Sequence, residues 1–395
     1  MANSALSLHG PIGVQDNRNE LINGDFNIWQ RGTTASVGVT GRASTPCLQN
    51  SFVADRWRVY SQAVSGVTAP PLVISRRLMP LGYPSGADRA SKWYLNIFLG
   101  NSADKMGGAG AAALGNYGGF TGAGATTNGT FLALVQDIDD VSTLEGKTCI
   151  LSFWAKSNIT NQRVAPIVKQ CYAGRTAGDS PSLIKGSTGN LGFTLDSTWR
   201  QYKTSFNIPG IEGQPAVGTS GDDALQVQLV LHSNGVHGAS MELGGPSEAA
   251  RTGDISFSQI QLEQGSKSTE FDKTNPAQEI FECGRFYQKT YNLDSTPGTN
   301  TNFAGMHALN YPTTGRDAVT HHEFVPPMKS TPTVTVYDNV GNINKTSHGN
   351  GTNNVNVSKV HISERGFNWG VDPPVGVGIY YVHVVVDSEL TVDTN

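Results

Sequence analysis

The sequence predicts an all-β protein built from an N-terminal jelly-roll or β-sandwich domain, a short connecting helix and a smaller C-terminal β-sandwich. Three observations carry this. Apolar and polar residues alternate in short runs along most of the chain, separated by turn signals. Of 395 residues, 46 are glycine and 15% are charged, against roughly 7% glycine and about 25% charge in an average soluble protein. Such a chain favours turns and short strands over solvated helices. One stretch, Ile255 to Tyr291, joins a strand pattern to a convincing helix pattern. A chain of this length also exceeds one typical domain.

Residues 1–19 show little periodicity and read as an extended arm. Glu20 to Gly32 opens the first module, with a turn signal at Asn23-Gly24 before Phe26, Ile28 and Trp29. Strand patterns follow at Phe52–Tyr60, Leu72–Ile74, Trp93–Leu99 and Phe131–Val135. They continue at Thr148–Ser157, Pro166–Tyr172, Trp199–Ile208 and Ala224–Leu231. In the run Thr148–Ser157, Cys149, Leu151, Phe153 and Ala155 share one face, so Trp154 points the other way. The glycine-dense stretch Met106–Gly129 reads as a long surface loop.

Ile255–Leu262 reads as the strand that closes this module, with a phase break that predicts a bulge. Asn275 then suits an N-cap, Pro276 the first helical position and Glu279 the positive first turn. Ile280, Phe281, Gly284, Phe286 and Tyr287 form a broad apolar stripe, and so short a helix needs tertiary support. Beyond it, Phe303–Leu309, His321–Val325, Thr333–Tyr337, Asn353–Ile362, Gly366–Val371 and Ile379–Asp387 read as strands of the second sandwich. The domain plan is therefore 1–19 arm, 20–272 first sandwich, 273–291 connector helix and 292–395 second sandwich.

The net charge of −4, with no Lys/Arg run, argues against nucleic-acid or anionic-membrane partners. The first twenty residues lack a basic segment leading into an apolar one, and no stretch is long and apolar enough to span a bilayer. A soluble protein made in a cytoplasm is expected. Cys149 and Cys171 lie on strand-like runs and could form a cross-hairpin disulfide, but buried free thiols are the expected state in that compartment.

Several stretches, in this order, resemble tail-fibre and receptor-binding proteins of tailed bacteriophages. They are Asn23–Thr33, Ala54-Asp55-Arg56-Trp57, Leu144–Ser157 with Gln261–Gly265, Gln278–Lys289, and Phe324–Val334 with the terminal Asp387-Ser388-Glu389-Leu390. The third is also similar to carbohydrate-binding jelly rolls. The resemblance covers nearly the whole chain from Glu20. It implies a virion protein, a homotrimer that attaches to host surface polysaccharide, is joined to other tail or capsid proteins through residues 1–19, and has no catalytic role. Relatives of the carbohydrate-binding type often hold a structural calcium between an acid in the opening motif and one in the last strand. Asp25 matches the first position; Ser258-Gln259 stand at the second.

Asp137, Asp139 and Asp140 cluster at a strand end but read as an acidic turn. His321-His322 cannot face one way on a strand, and no metal-ligand spacing accompanies them. Gly146-Lys147-Thr148 ends like a phosphate loop, but Val141 stands where its first glycine belongs. No enzyme is expected. Aromatic residues are the better binding candidates, because sugar rings stack their C–H faces on Trp or Tyr. Trp93, Tyr94, Trp154 and Trp199 are the candidate carbohydrate-binding set, and Ile280, Phe281, Gly284 and Tyr287 the candidates for an oligomer or domain junction. Two other readings stay open. One is a purely structural virion component, such as a capsid fibre or tail adaptor; the other, further from the pattern, is a polysaccharide depolymerase.

Overall fold

A computed structural model describes residues 18–37, 51–63, 72–82, 84, 86–87, 90–99, 130–172, 182–185, 192–213, 223–234, 252–311, 319–371 and 376–389. The arm up to residue 17, Cys47, the stretch Met106–Gly129 and Leu390 lie outside these residues. In the first module the strands are β1 (Thr34–Val37), β2 (Ser51–Phe52), β3 (Arg58–Ala63), β4 (Leu72–Leu78) and β5 (Trp93–Leu99). They continue with β6 (Thr130–Asp139), β7 (Thr148–Ser157), β8 (Arg163–Cys171) and β9 (Ser182–Lys185). The last four are β10 (Phe193–Thr194), β11 (Arg200–Asn207), β12 (Ala224–Asn234) and β13 (Gly253–Gln264).

These strands form two sheets of antiparallel pairs, β1-β4-β5-β13-β7-β11 and β10-β8-β12-β6-β3-β2, with β9 added beside β8. Period-2 alternation explains the sandwich between them. Leu95, Ile97, Leu151, Phe153, Tyr202, Ile255 and Phe257 come from the first sheet; Val59, Leu132, Leu134, Val168, Leu225, Val227 and Leu229 come from the second. All belong to one buried core. The predicted bulge is present in β13: the register against β7 shifts between Ser258 and Gln261, and Gln259 has φ 51°. The bulge restores Ile260 and Leu262 to the core side. Gly24 abuts it so closely that a Cβ there would lie 2.2 Å from the Ile260 carbonyl oxygen.

The helix α1 (Pro276–Gly284) starts as its caps require, with Asn275 Oδ1 accepting from the Ala277 amide at 2.9 Å. The second module follows with β14 (Tyr287–Lys289), β15 (His307–Tyr311), β16 (Val319–Glu323) and β17 (Thr333–Tyr337). It ends with β18 (Lys345–His348), β19 (Val355–Ser363), β20 (Gly366–Val371) and β21 (Gly378–Asp387). The long strand β21 is the hub, pairing with β14, β15, β17 and β18. Tyr287–Lys289 therefore belongs to the second module's sheet, and the connector is shorter than the span 273–291. A second core gathers Phe324, Val336, Phe367, Trp369, Tyr380, Val382 and Val384.

Cys149 and Cys171 are free and buried. They sit on different sheets, β7 in one and β8 in the other, so no hairpin brings them together. Burial raises the Cys149 thiol to about 12.

Candidate functional site

Alternation along the first sheet turns one set of side chains outward. Ser75, Asn96, Ser256 and Lys156 are successive cross-strand neighbours over β4, β5, β13 and β7. Arg77 and Tyr94 are neighbours in the next row, as are Ser258 and Trp154, with Gln201 beyond them on β11. Three of the four predicted aromatic residues meet here. Trp154 and Trp199 pack with Met79 outside the main core, with Tyr94 and Ala87 against them. The Tyr94 and Trp199 rings meet edge to face at 5.3 Å. Trp154 and Trp199 are only 7% and 9% exposed, so Tyr94, half-buried, presents the accessible ring.

Trp93 does not join them. Adjacent residues on a strand face opposite ways, and Trp93 instead receives Arg76, whose guanidinium lies 4.3 Å from the ring centroid.

Beside Tyr94 runs a polar network. The Asn96 amide donates to Asp254 at 2.9 Å, Ser256 Oγ donates to Asn96 Oδ1 at 2.8 Å, and Asn158 Nδ2 donates to Asp254 at 3.3 Å. Lys156 Nζ lies 5.8 Å from the Tyr94 ring and 5.2 Å from the Trp199 ring. Burial raises the Tyr94 phenol, with Arg77 opposing and Asp254 reinforcing the shift. The sequence signal for Arg77, Asn96, Lys156, Asp254 and Ser256 was present in the parity opposite to the core residues of each strand. An aromatic ring flanked by fixed amide, carboxylate and hydroxyl groups can stack on one face of a sugar and satisfy its hydroxyls.

The second sheet carries a different polar row. Asp137 accepts from Arg58 at 2.9 Å and from Gln226 at 2.7 Å, and Gln228 donates to Gln226. All four are buried. Asp137 is therefore a partner of Arg58 and not a free carboxylate. Asp139 is paired with Lys329 at 2.6 Å.

Residues from the opening, Ala54–Trp57, helix and terminal motifs meet at one place, between the two modules. Arg31 reaches Asp387 at 3.2 Å and Glu389 at 3.8 Å, with its guanidinium 3.8 Å from the Tyr287 ring centroid. Arg56 donates to Glu389 and to the Asp137 carbonyl, and stacks 3.4 Å from the Phe286 centroid. Gln30 bridges Asp55 and the Tyr287 carbonyl at 2.9 and 2.8 Å. Lys289 donates to the carbonyls of Gln30, Leu293 and Ser295, and burial lowers its ammonium to about 8. Of the four predicted junction residues, Tyr287 lies in this junction. Gly284 packs on Pro326, where a Cβ would come within 2.9 Å of Cδ. Ile280 and Phe281 are 36% and 53% exposed.

The surroundings of Asp25 test the calcium expectation. Asp25 meets Glu279 of α1, and the Asn27 side-chain N–H donates to both carboxylates, at 2.7 and 3.2 Å. A cation there would face that N–H and the nearby Lys273 charge. Ser258 and Gln259 donate to the Trp93 carbonyl and to Ser91. Among the described residues no three His, Cys, Asp or Glu side chains converge. Asp25 Oδ2 is buried without a hydrogen-bond partner. Burial, with Asp25 adding to it, raises Glu279 to about 8, and burial raises Asp25 as well.

Glu279 is thus protonated in the fold at pH values where it ionises in the unfolded chain. Stability should fall as pH rises from about 5 to 8, by up to about 1.4 kcal/mol per unit for one proton. Chemical denaturation across that range checks this, and Glu279→Gln should flatten the slope.

Two histidines pack against aromatic neighbours. His383 is bonded at both ring nitrogens by Thr290 and Thr301, at 2.8 and 2.6 Å, and stacks on Tyr291. His322 packs against His307 and Phe324, and burial lowers it to about 4.

No family model matches this chain. No curated protein matches it either. Among solved structures it is similar to the N-terminal cellulose-binding domain of β-1,4-glucanase C from Cellulomonas fimi, at 16% identity. That match covers 46% of this chain and 88% of that one, with a TM-score of 0.25. It is also similar to the family 11 carbohydrate-binding module from Clostridium thermocellum in complex with a β-1,3-1,4-mixed-linked tetrasaccharide (13% identity, 54% and 91% covered, TM-score 0.26). A Stig cyclase from Fischerella gives 11% identity over 62% and 96%, with a TM-score of 0.26. Likeness at this level does not bear on what this chain binds.

Proposed function

We propose that this chain is a fibre or spike component of a tailed bacteriophage that attaches to a bacterial surface glycan through the outward face of its first sheet. One observation carries the binding assignment: β5, β7 and the residue just before β11 bring Tyr94, Trp154 and Trp199 together outside the core, beside the Asn96–Asp254–Ser256 network. The virion setting is supported by the ordered motif series in the sequence. Trp154 and Trp199 hold Tyr94 from below, and Tyr94 stacks on the sugar. The exposed Ile280 and Phe281 of α1 are the surface through which three copies would associate, and association would also cover open sheet edges.

An array of bacterial surface polysaccharides tests the reading. The parent chain should bind at least one, and Tyr94→Ala should weaken that binding roughly tenfold or more, as loss of one stacked ring predicts. Light scattering on the same sample should report a trimer. A second reading, a structural virion component, is favoured by the low exposure of both tryptophans. It predicts no binding on the array, or binding indifferent to Tyr94.

A further inference from the structure

Resting on the glycan reading, we infer that the outward face of the first sheet selects an acidic saccharide, one whose carboxylate docks between Arg77 and Lys156 across the Tyr94 ring. Arg77 is the direct cross-strand neighbour of Tyr94. Its Nε donates to Ser75 Oγ at 3.0 Å, which holds the head against the sheet. Lys156 approaches Tyr94 from the opposite side, over β13, and lies over the Trp199 ring as well. Arg77 on β4 and Lys156 on β7 therefore stand on the two sides of the strand that carries Tyr94.

Among the described residues, neither Arg77 nor Lys156 forms an ion pair. The acid on the same face, Asp254, is turned to the amides of Asn96 and Asn158. A neutral sugar needs one aromatic platform and a few hydrogen-bonding groups. It does not need a cation on each side of the platform. A planar carboxylate suits the fork of Arg77, while the compact ammonium of Lys156 serves as a point charge. The ring of the same sugar would stack on Tyr94, and Asn96 would reach a neighbouring hydroxyl.

The test uses the full chain and six polymers: polygalacturonate, hyaluronan and polysialic acid, each also in carboxyl-reduced, neutral form. Biolayer interferometry should show binding to at least one acidic polymer and clear loss on reduction of its carboxyls. Arg77→Gln and Lys156→Gln should each weaken that binding about five- to tenfold, and raising salt from low to moderate ionic strength should weaken it further. Equal binding of acidic and neutral forms, or binding of neutral forms alone, overturns the acidic class and leaves glycan attachment standing. Silence against all six polymers also overturns it, and the broad polysaccharide array then decides the attachment reading separately.

Discussion

Arg56→Ala is expected to destabilise the folded chain by about 3–5 kcal/mol, the range for breaking a buried ion pair from one side. Arg56 and Glu389 are 5% and 1% exposed at their side chains, so neither charge can turn to water. Burial already raises the Glu389 carboxyl, and Arg56 and Arg31 oppose that shift. Without Arg56, Glu389 keeps only the longer contact to Arg31 at 3.8 Å, and the Asp137 carbonyl loses its donor. The positive φ of Arg56 strains any residue with a Cβ, so alanine reports mainly the side chain. Glu389→Gln should cost less, because it removes a charge and keeps the shape. The double variant should cost less than the sum of the two, which a denaturation cycle measures directly.

Phe286→Ala is expected to cost a similar amount, about 3–5 kcal/mol, as for other buried aromatic truncations. The ring is 2% exposed and lies under Arg56, with Arg285 at 5.5 Å and Lys329 at 5.9 Å from its centroid. Its removal opens a cavity and also strips three cations of the same partner. The backbone around it is shared too, since Ser388 donates to the Phe286 carbonyl at 2.9 Å. Urea titration read by tryptophan fluorescence checks the loss, with Trp57 in the first module and Trp369 in the second as internal reporters.

Much of the fold was legible because it rests on local alternation. The phase of Leu151 and Phe153 gave the outward direction of Trp154, and the break at Ile260 gave the bulge in β13. Asn275, Pro276 and Glu279 gave the helix start. What stayed hidden depends on pairing between distant strands. Arg58, Asp137 and Gln226 form a row only because β3, β6 and β12 are neighbours. Arg56 and Glu389 are separated by 333 positions, and nothing in either motif names the other. Trp93 and Tyr94 are adjacent in sequence, yet the pleat sends them to opposite faces, so their joint assignment to one site could not hold for both. Asp25 matched one position of a calcium pattern, and nothing in the sequence placed Glu279 of the helix and Asn27 of the loop beside it.

The motif residues around Arg31, Arg56, Phe286 and Glu389 therefore hold the two modules together, while Trp154, in another of the motifs, faces outward on the first sheet. Differential scanning calorimetry of the full chain beside Glu389→Ala tests that division of labour most directly. The parent should unfold in one transition, because the junction couples both cores, and the variant should resolve into two. Two separate transitions in the parent, unchanged in the variant, would contradict it.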